Sequence, residues 1–357
     1  MTRLRSRQNT PVRGATSDGH KPAYSIPSMR DVARIPYNGR RVVSLFSGAG
    51  GSSLGYRLAG FRVVYANEFI EAARDTYSAN FPETIIDPRD IRDIDPGDIL
   101  RQTGMRVGDL DILDGSPPCA SFSTAGSREQ SWNKEKAYSD TVQRTDDLFF
   151  EYARIVKGVQ PRVFVAENVS GLVKGVSKGY FIEIKAMLEA AGYRVAARML
   201  NAKWLGVPQT RDRLIFVGVR NDLNADPVHP KPLPYMHTVA DALPYVIEVR
   251  GSSYIDQWFD ARRAVIPTIT VMGFSTTLKL WFSSGGYITV QNPDATTTRR
   301  KIDAAELRAL SSFPADFVLT GTPQQQWERV ARSVPPYMMM HVAATIDREI
   351  FQKARSQ

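Results

Sequence analysis

From Arg41 onward, short apolar runs alternate with stretches of helical spacing. Val42–Phe46 reads as a buried strand, followed by a glycine-rich turn and a helix through Leu58. Phe61–Ala66 predicts the next strand and Ile70–Asn80 the next helix. Leu110–Leu113 is a third strand, ending in a Ser-Pro-Pro turn, and Asp147–Lys157 has helical spacing. Arg162–Ala166 is a further apolar strand, Tyr180–Ala191 a helix closed by Gly192, and Leu214–Val219 another strand. This alternation predicts a parallel sheet with helices on both faces. Ligands on such sheets sit beyond the carboxyl ends of the strands, and the chemically interesting residues of this chain all fall just after strands.

After Asn221 the pattern changes. From Leu223 to about Thr298 the chain is rich in Pro, Gly, Ser, Thr and aromatics, with short β-prone runs at Pro267–Met272 and Tyr287–Val290. A smaller, irregular β-rich domain is expected over 223–322. Helical spacing returns at Asp303–Leu310, and a last helix is expected to start at Pro335-Pro336, where proline suits the first turn. The larger domain then comprises 41–222 and 323–357. There is no internal repeat.

The length of 357 residues suits about two domains. With 43% hydrophobic and 23% charged residues, the chain is not a largely disordered one. No stretch approaches the ~20 apolar residues of a membrane span, and the opening segment lacks the apolar core of a signal peptide. One cysteine and four scattered histidines give neither an internal disulfide nor a zinc cluster. A cytoplasmic, metal-free, monomeric protein is the expectation. Of the net charge of +9, the first 41 residues carry +7, nine basic side chains against Asp18 and Asp31. Residues 1–40 are therefore expected to form a flexible basic arm, either tracking phosphates or simply solvated.

Four motifs carry chemistry. Phe46-Ser47-Gly48-Ala49-Gly50-Gly51 follows a strand and opens a helix, so its glycines let the backbone turn tightly beside a ligand. Glu68, at the end of the next strand, is placed to accept hydrogen bonds from ribose hydroxyls, and Phe69 to stack on a base. No Gly-Lys-Ser/Thr follows, so a nucleoside cofactor fits better than a nucleotide triphosphate. Gly115-Ser116-Pro117-Pro118-Cys119 comes after the third strand, with Ser121 and Ser123 beyond it. A lone cysteine is more often an inert core residue, but on an exposed loop its thiol can be a nucleophile. Glu167-Asn168-Val169 places a carboxylate at a strand end, fit for a helix cap or for proton transfer. In Gln209-Thr210-Arg211-Asp212-Arg213, strand alternation puts Gln209, Arg211 and Arg213 on one face, with two cationic forks to grip an oxygen.

In this order and spacing the four motifs resemble the DNA cytosine-C5 methyltransferases, over roughly Val42 to the C-terminus. The resemblance implies a Rossmann-like, S-adenosylmethionine-dependent doubly wound α/β fold with a smaller target-recognition domain, acting on double-stranded DNA. It implies Cys119 as the nucleophile attacking cytosine C6, Glu167 at the ring N3 and amine, and Arg213 with Arg211 at the pyrimidine carbonyl. The base must leave the duplex stack for this chemistry. It further implies a cofactor site built from Phe46, Gly48, Ala49, Gly50, Gly51, Glu68, Phe69, Asp90, Ile91, Pro118, Leu148, Arg332, Ser333 and Val334. Arg299–Pro314, with Glu306, resembles the family's segment that orients the small domain. Ser121, Ser123, Gln209, Arg250, Arg262 and Arg263 are candidate DNA contacts.

The chain departs from the family at Ala331-Arg332-Ser333-Val334-Pro335-Pro336, where the family has Gly-Asn before Ser/Ala-Val-Pro-Pro. An Arg at ~5 Å from a sulfonium, at an effective dielectric of ~20, is repelled by roughly 3 kcal/mol. If the transferred group bore a carboxylate, the same Arg would attract it. Two donors thus stand open, S-adenosylmethionine and carboxy-S-adenosylmethionine, the latter giving 5-carboxymethylcytosine. A tRNA cytosine methyltransferase and a catalytically silent DNA-binding protein are the competing functions.

Overall fold

The computed structural model describes residues 21–118, 136–137, 142–143, 148–169, 177–250, 258–268 and 286–353. A seven-stranded sheet forms the larger part of the molecule. Its strands are β1 (Arg41–Leu45), β2 (Arg62–Asn67), β3 (Ile85–Asp87), β4 (Ile112–Gly115), β5 (Val163–Val169), β6 (Tyr193–Asn201) and β7 (Asp212–Arg220). They lie in the order β3-β2-β1-β4-β5-β7-β6. β1, β2, β3, β4 and β5 pair in parallel, while β7 runs antiparallel to both β5 and β6. The strand order turns back between β1 and β4, with β2 and β3 added on one side and β5 to β7 on the other, so the loops after those two strands open into one crevice.

The helices of this part are α2 (Gly51–Leu58), α3 (Glu71–Asn80), α4 (Pro96–Thr103), α5 (Leu148–Val159) and α6 (Ser177–Ala190), preceded by α1 (Met29–Arg34). The central strands read Val-Val-Ser-Leu and Ile-Leu-Asp-Gly and are buried almost throughout, as a sheet covered on both faces requires. One apolar core joins α5 and α6 to one face of the sheet. A second core covers the other face, where α10 (Pro336–Ile346) buries Met338, Met339, Val342 and Ala343 completely. Pro335 is the N-cap and Pro336 the first residue of α10, as the sequence predicts.

The second part is more regular than the sequence suggests. It holds a four-stranded antiparallel sheet of β8 (Val246–Arg250), β9 (Trp258–Asp260), β10 (Tyr287–Gln291) and β11 (Thr297–Lys301), in the order β9-β8-β10-β11. α7 (Val239–Ala242), α8 (Ala304–Leu310) and α9 (Pro323–Arg332) accompany it. A third core joins Val249, Ile288 and Val290 to Leu307, Phe313, Trp327 and Val330, and takes in Val32 of α1 and Leu54 of α2. This core draws on residues of both parts.

The basic arm expected over 1–40 is anchored from Lys21 onward. Lys21 pairs with Asp241 at 2.6 Å, the Tyr24 hydroxyl donates to the Ala309 carbonyl, and Val32 is 2% exposed. Arg57 donates to the carbonyls of Ala33 and Ile35, fixing the same segment to α2. Residues 21–40 thus form a strap across both parts, and apolar burial of Val32 outweighs the polar composition that made the segment read as free.

Candidate active site at the strand ends

The glycine-rich turn follows β1 as expected. Phe46 has φ +54°, Gly48 φ +54° and Gly50 φ +90°, so the chain bends through the left-handed region three times before α2 begins. Only glycine takes that region without strain, and Phe46 does so under the constraint of its packing on the first core. Ala49 is fully buried. At Gly51 a Cβ would lie 2.3 Å from the Val334 carbonyl oxygen and 2.9 Å from Ser333 Cβ, so the turn and the segment before α10 touch with no room for a side chain.

Glu68 stands just past β2, 7% exposed, with Oε2 accepting from the Gly48 N–H at 2.7 Å and Oε1 from the Ile70 N–H at 2.8 Å. Burial pushes its carboxyl above the usual range, against those two hydrogen bonds and the nearby charges of Arg329 and Arg74. Each carboxylate oxygen has a second acceptor position, so Glu68 can hold the turn and still receive hydroxyls. Phe69 is half-buried, its carbonyl held by Arg74. Asp90 caps the single turn Ile91–Asp93 and forms a two-pronged pair with Arg92. Ile91 and Leu148 are buried in the first core. A carboxylate beside an open glycine turn, an aromatic ring and an apolar floor is a donor set that fits a nucleoside cofactor.

The second group lies at the ends of β4, β5 and β7. Glu167 and Arg213 occupy one face of adjacent strands, since Glu167 pairs in register with Ile215 and Val169 with Arg213. Their side chains meet at 2.5 Å (Oε1 to Nε) and are 12% and 13% exposed. Asn168, on the other face, is buried and donates from Nδ2 to the Pro117 carbonyl at 3.2 Å, tying β5 to the turn that leads to Pro118. Cys119, Ser121 and Ser123 lie outside the described residues.

The three side chains expected on one face at 209–213 have different partners. β7 begins only at Asp212, and Gln209 before it forms an isolated parallel bridge with Ile266. Gln209 is 1% exposed and donates to Ser311 Oγ at 3.3 Å, so it joins the two parts of the molecule rather than facing outward toward DNA. Arg211 is 2% exposed, and its Nη2 donates to the carbonyls of Ala331 (2.8 Å) and Ser333 (2.9 Å). Burial, with Arg213 close by, lowers its pKa far below the usual guanidinium value. Arg213 therefore faces Glu167, while Arg211 reaches the backbone of the Arg332 segment.

Arg332 is the last residue of α9. Its Nε donates to Glu328 Oε1 at 2.7 Å, and its side chain is 45% exposed while Glu328 is 3% exposed. Ser333 Oγ donates to the Arg329 carbonyl, and Val334 is buried. In the turn after β9, Arg262 is exposed and paired with Asp260 and Arg263 is exposed, while Arg250 of β8 lies 5.6 Å from the Tyr287 ring. Arg300 grips Glu306 through both nitrogens at 2.7 and 2.8 Å. Burial alone would raise the Glu306 carboxyl, but Arg300 and the N-terminal backbone of α8 outweigh it and hold it below the usual range.

Sequence reasoning missed Asp114. It lies in β4, 1% exposed, and accepts from Ser44 Oγ at 3.1 Å and from the Tyr56 hydroxyl at 3.2 Å. Burial pushes its carboxyl up to about 7, with the charge of Glu167 adding to the rise. The available signal was an acid inside an otherwise apolar strand, immediately before the Gly-Ser-Pro-Pro turn. Among the described residues no group of three or more His, Cys, Asp or Glu side chains could hold a metal ion, and no helix is long and apolar enough to cross a membrane.

Residues 40–277 match the family model of the C-5 cytosine-specific DNA methylases. The chain is 30% identical over 338 residues to the type II methyltransferase M1.HphI of Haemophilus parahaemolyticus, covering 85% of this chain and 86% of that one. It is also 30% identical over 355 residues to M.PspPI of a Psychrobacter strain, covering 89% and 81%. The fold is similar to a crystal structure described as a DNA modification methyltransferase encoded within an E. coli prophage. That match has a TM-score of 0.62 at 22% identity, covering 88% of this chain and all of the other. It is equally similar to the Spodoptera frugiperda DNMT2 structure, with TM-score 0.62 at 18% identity and the same coverage. The glycine turn, the Pro-Pro-Cys segment, the Glu167–Arg213 pair and these likenesses agree, and the chain belongs to the C-5 cytosine-specific DNA methylase family.

Proposed function

We propose that the protein transfers a methyl group from S-adenosylmethionine to C5 of a cytosine flipped out of double-stranded DNA. The observation that carries this reading is the Glu167–Arg213 pair at the strand ends, joined through Asn168 to the turn that leads into Cys119. Cytosine C5 is too weak a nucleophile to take a methyl group unaided. Attack of the Cys119 thiolate on C6 makes the ring an enamine, while Glu167 holds N3 and the amine and supplies the proton that stabilises the adduct. Arg213 fixes the Glu167 carboxylate and presents the remaining guanidinium N–H groups to the pyrimidine oxygen. S-adenosylmethionine, when bound, supplies the electrophilic methyl group. Loss of the C5 proton to solvent then re-forms the ring double bond and expels the thiolate, and the proton given to N3 returns to Glu167. Arg250, Arg262 and Arg263 are the described side chains we assign to the DNA.

The alternative donor, carboxy-S-adenosylmethionine, calls for Arg332 to give its guanidinium to the cofactor's carboxylate. The 2.7 Å bond from Arg332 to the buried Glu328 favours the methyl reading, because that positive charge already has a partner. The test is mass analysis of nucleosides from plasmid DNA incubated with the protein and each cofactor separately. A methyl increment on deoxycytidine with S-adenosylmethionine, absent in Cys119→Ser, is expected. A carboxymethyl product would overturn the choice of donor, and modification of RNA alone would overturn the choice of substrate.

A further inference from the structure

The end of α9 carries three charged side chains within two helical turns. Glu328 and Arg329 are each 3% exposed, and Arg332 is half-exposed. One Glu328 oxygen accepts from Arg332 at 2.7 Å, and the other lies 3.5 Å from Arg329 Nη2. Arg329 also acts electrostatically on Glu68, the acid that holds the glycine turn. Ser333 and Val334, directly after α9, press against Gly51 of that turn. The charges at the end of α9 are therefore packed against the glycine turn and Glu68.

We propose that Glu328 is a specificity-determining residue for the cofactor: by holding Arg332 and facing Arg329, it cancels one of two positive charges where a sulfonium must be accepted. This inference rests on the methyltransferase reading. An Arg at position 332 would by itself favour a neutral sulfur over a cationic one, and the buried carboxylate one turn earlier removes that preference. Glu328 touches neither cofactor nor substrate; it acts through the two arginines.

S-adenosylmethionine and S-adenosylhomocysteine differ in one methyl group and one charge, so the ratio of their dissociation constants reads the local charge. We would measure both by titration calorimetry on the full chain at low salt, without DNA. Glu328→Gln is expected to weaken S-adenosylmethionine relative to S-adenosylhomocysteine roughly tenfold, the factor expected for one uncovered charge acting over ~10 Å at an effective dielectric of ~20–25. Adding Arg332→Asn to Glu328→Gln is expected to restore the ratio. Arg332→Asn alone, a change at a half-exposed side chain, is expected to shift the ratio the other way and keeps the test open if Glu328→Gln does not fold. An equal loss of both ligands in Glu328→Gln, or an unmoved ratio in Arg332→Asn, would overturn the inference and leave the methyltransferase reading standing. Binding of neither ligand by the wild-type chain would overturn both.

Discussion

Two acid–arginine pairs, Glu167 with Arg213 and Glu328 with Arg332, are built differently. Glu167 and Arg213 come from neighbouring strands, so both backbones are fixed by the ladder and both side chains are nearly buried. Glu328 and Arg332 come from one helix, with the acid buried and the arginine half-exposed. In the strand-end pair neither partner can leave without stranding a charge in a dry place. In the helix-end pair one partner is fixed and the other can turn to solvent. A chemical role that needs a carboxylate at one point suits the first arrangement, and tuning of a local charge suits the second.

The contrast is broken most directly at the strand ends. Glu167→Gln is expected to lower the single-turnover methylation rate by about 10²–10⁴-fold, the usual range for removing a proton-transfer group, with DNA binding retained. Arg213→Leu leaves the Glu167 carboxylate unpaired and should cost about 3–5 kcal/mol of stability, seen in denaturant unfolding. If Arg213→Leu unfolds at the wild-type midpoint, the two side chains are not the coupled pair described here.

Asp114 sharpens the same point one strand away. Its folded-state value of about 7 lies above the ordinary 3.8, so the native state holds this proton more tightly than the unfolded chain. The contribution of Asp114 to stability is therefore greatest below about pH 4, falls as pH rises toward 7, and is level above that. The span amounts to up to ~4 kcal/mol. The difference between Asp114→Asn and wild type isolates this dependence: the variant should gain in relative stability from pH 4 to 7 and no further. Melting curves whose difference does not change across that range would show that Asp114 is ionised throughout. Next in size is Arg211. Arg211→Met removes two charge-assisted bonds to the carbonyls of Ala331 and Ser333 and is expected to cost ~3 kcal/mol. Arg211→Lys should restore little, because one ammonium lacks the planar fork that spans both carbonyls.

Much of the larger domain was legible in the sequence, because its central strands are buried on both faces and read as mainly apolar runs, interrupted at Ser44 and Asp114. The same rule explains what was missed. β6 has an exposed edge and carries Arg194 and Arg198 among its apolar residues, so it lacks the signature of a central strand. α1 is six residues long and takes its stability from Val32 and the bonds of Arg57, which no local pattern announces. Motif spacing put Glu68, Glu167 and Arg213 at strand ends, which is where the structure has them. The partners of Gln209 and Arg211, Ser311 and the backbone of Ala331 and Ser333, lie about a hundred residues away, and spacing does not announce them. The partners of Arg332 were also out of reach: that an arginine is balanced by an acid four residues earlier is visible as spacing, but that the acid is buried is a tertiary fact.

The smallest expected effect lies at the helix end, and it decides whether the comparison holds. Arg332→Asn removes an i,i+4 pair whose arginine is 45% exposed, so water already screens much of the attraction. Glu328 keeps Arg329 within 3.5 Å, so its charge is not left alone in the core. The loss in stability should stay below about 1 kcal/mol, against the ~3 kcal/mol expected at Arg211. The two variants act on the same short segment, one through a solvent-facing side chain and one through a buried one. Unfolding midpoints that fall equally would mean that Arg332 is locked as firmly as Arg211, and the helix end would then be a second rigid pair with no freedom to tune charge.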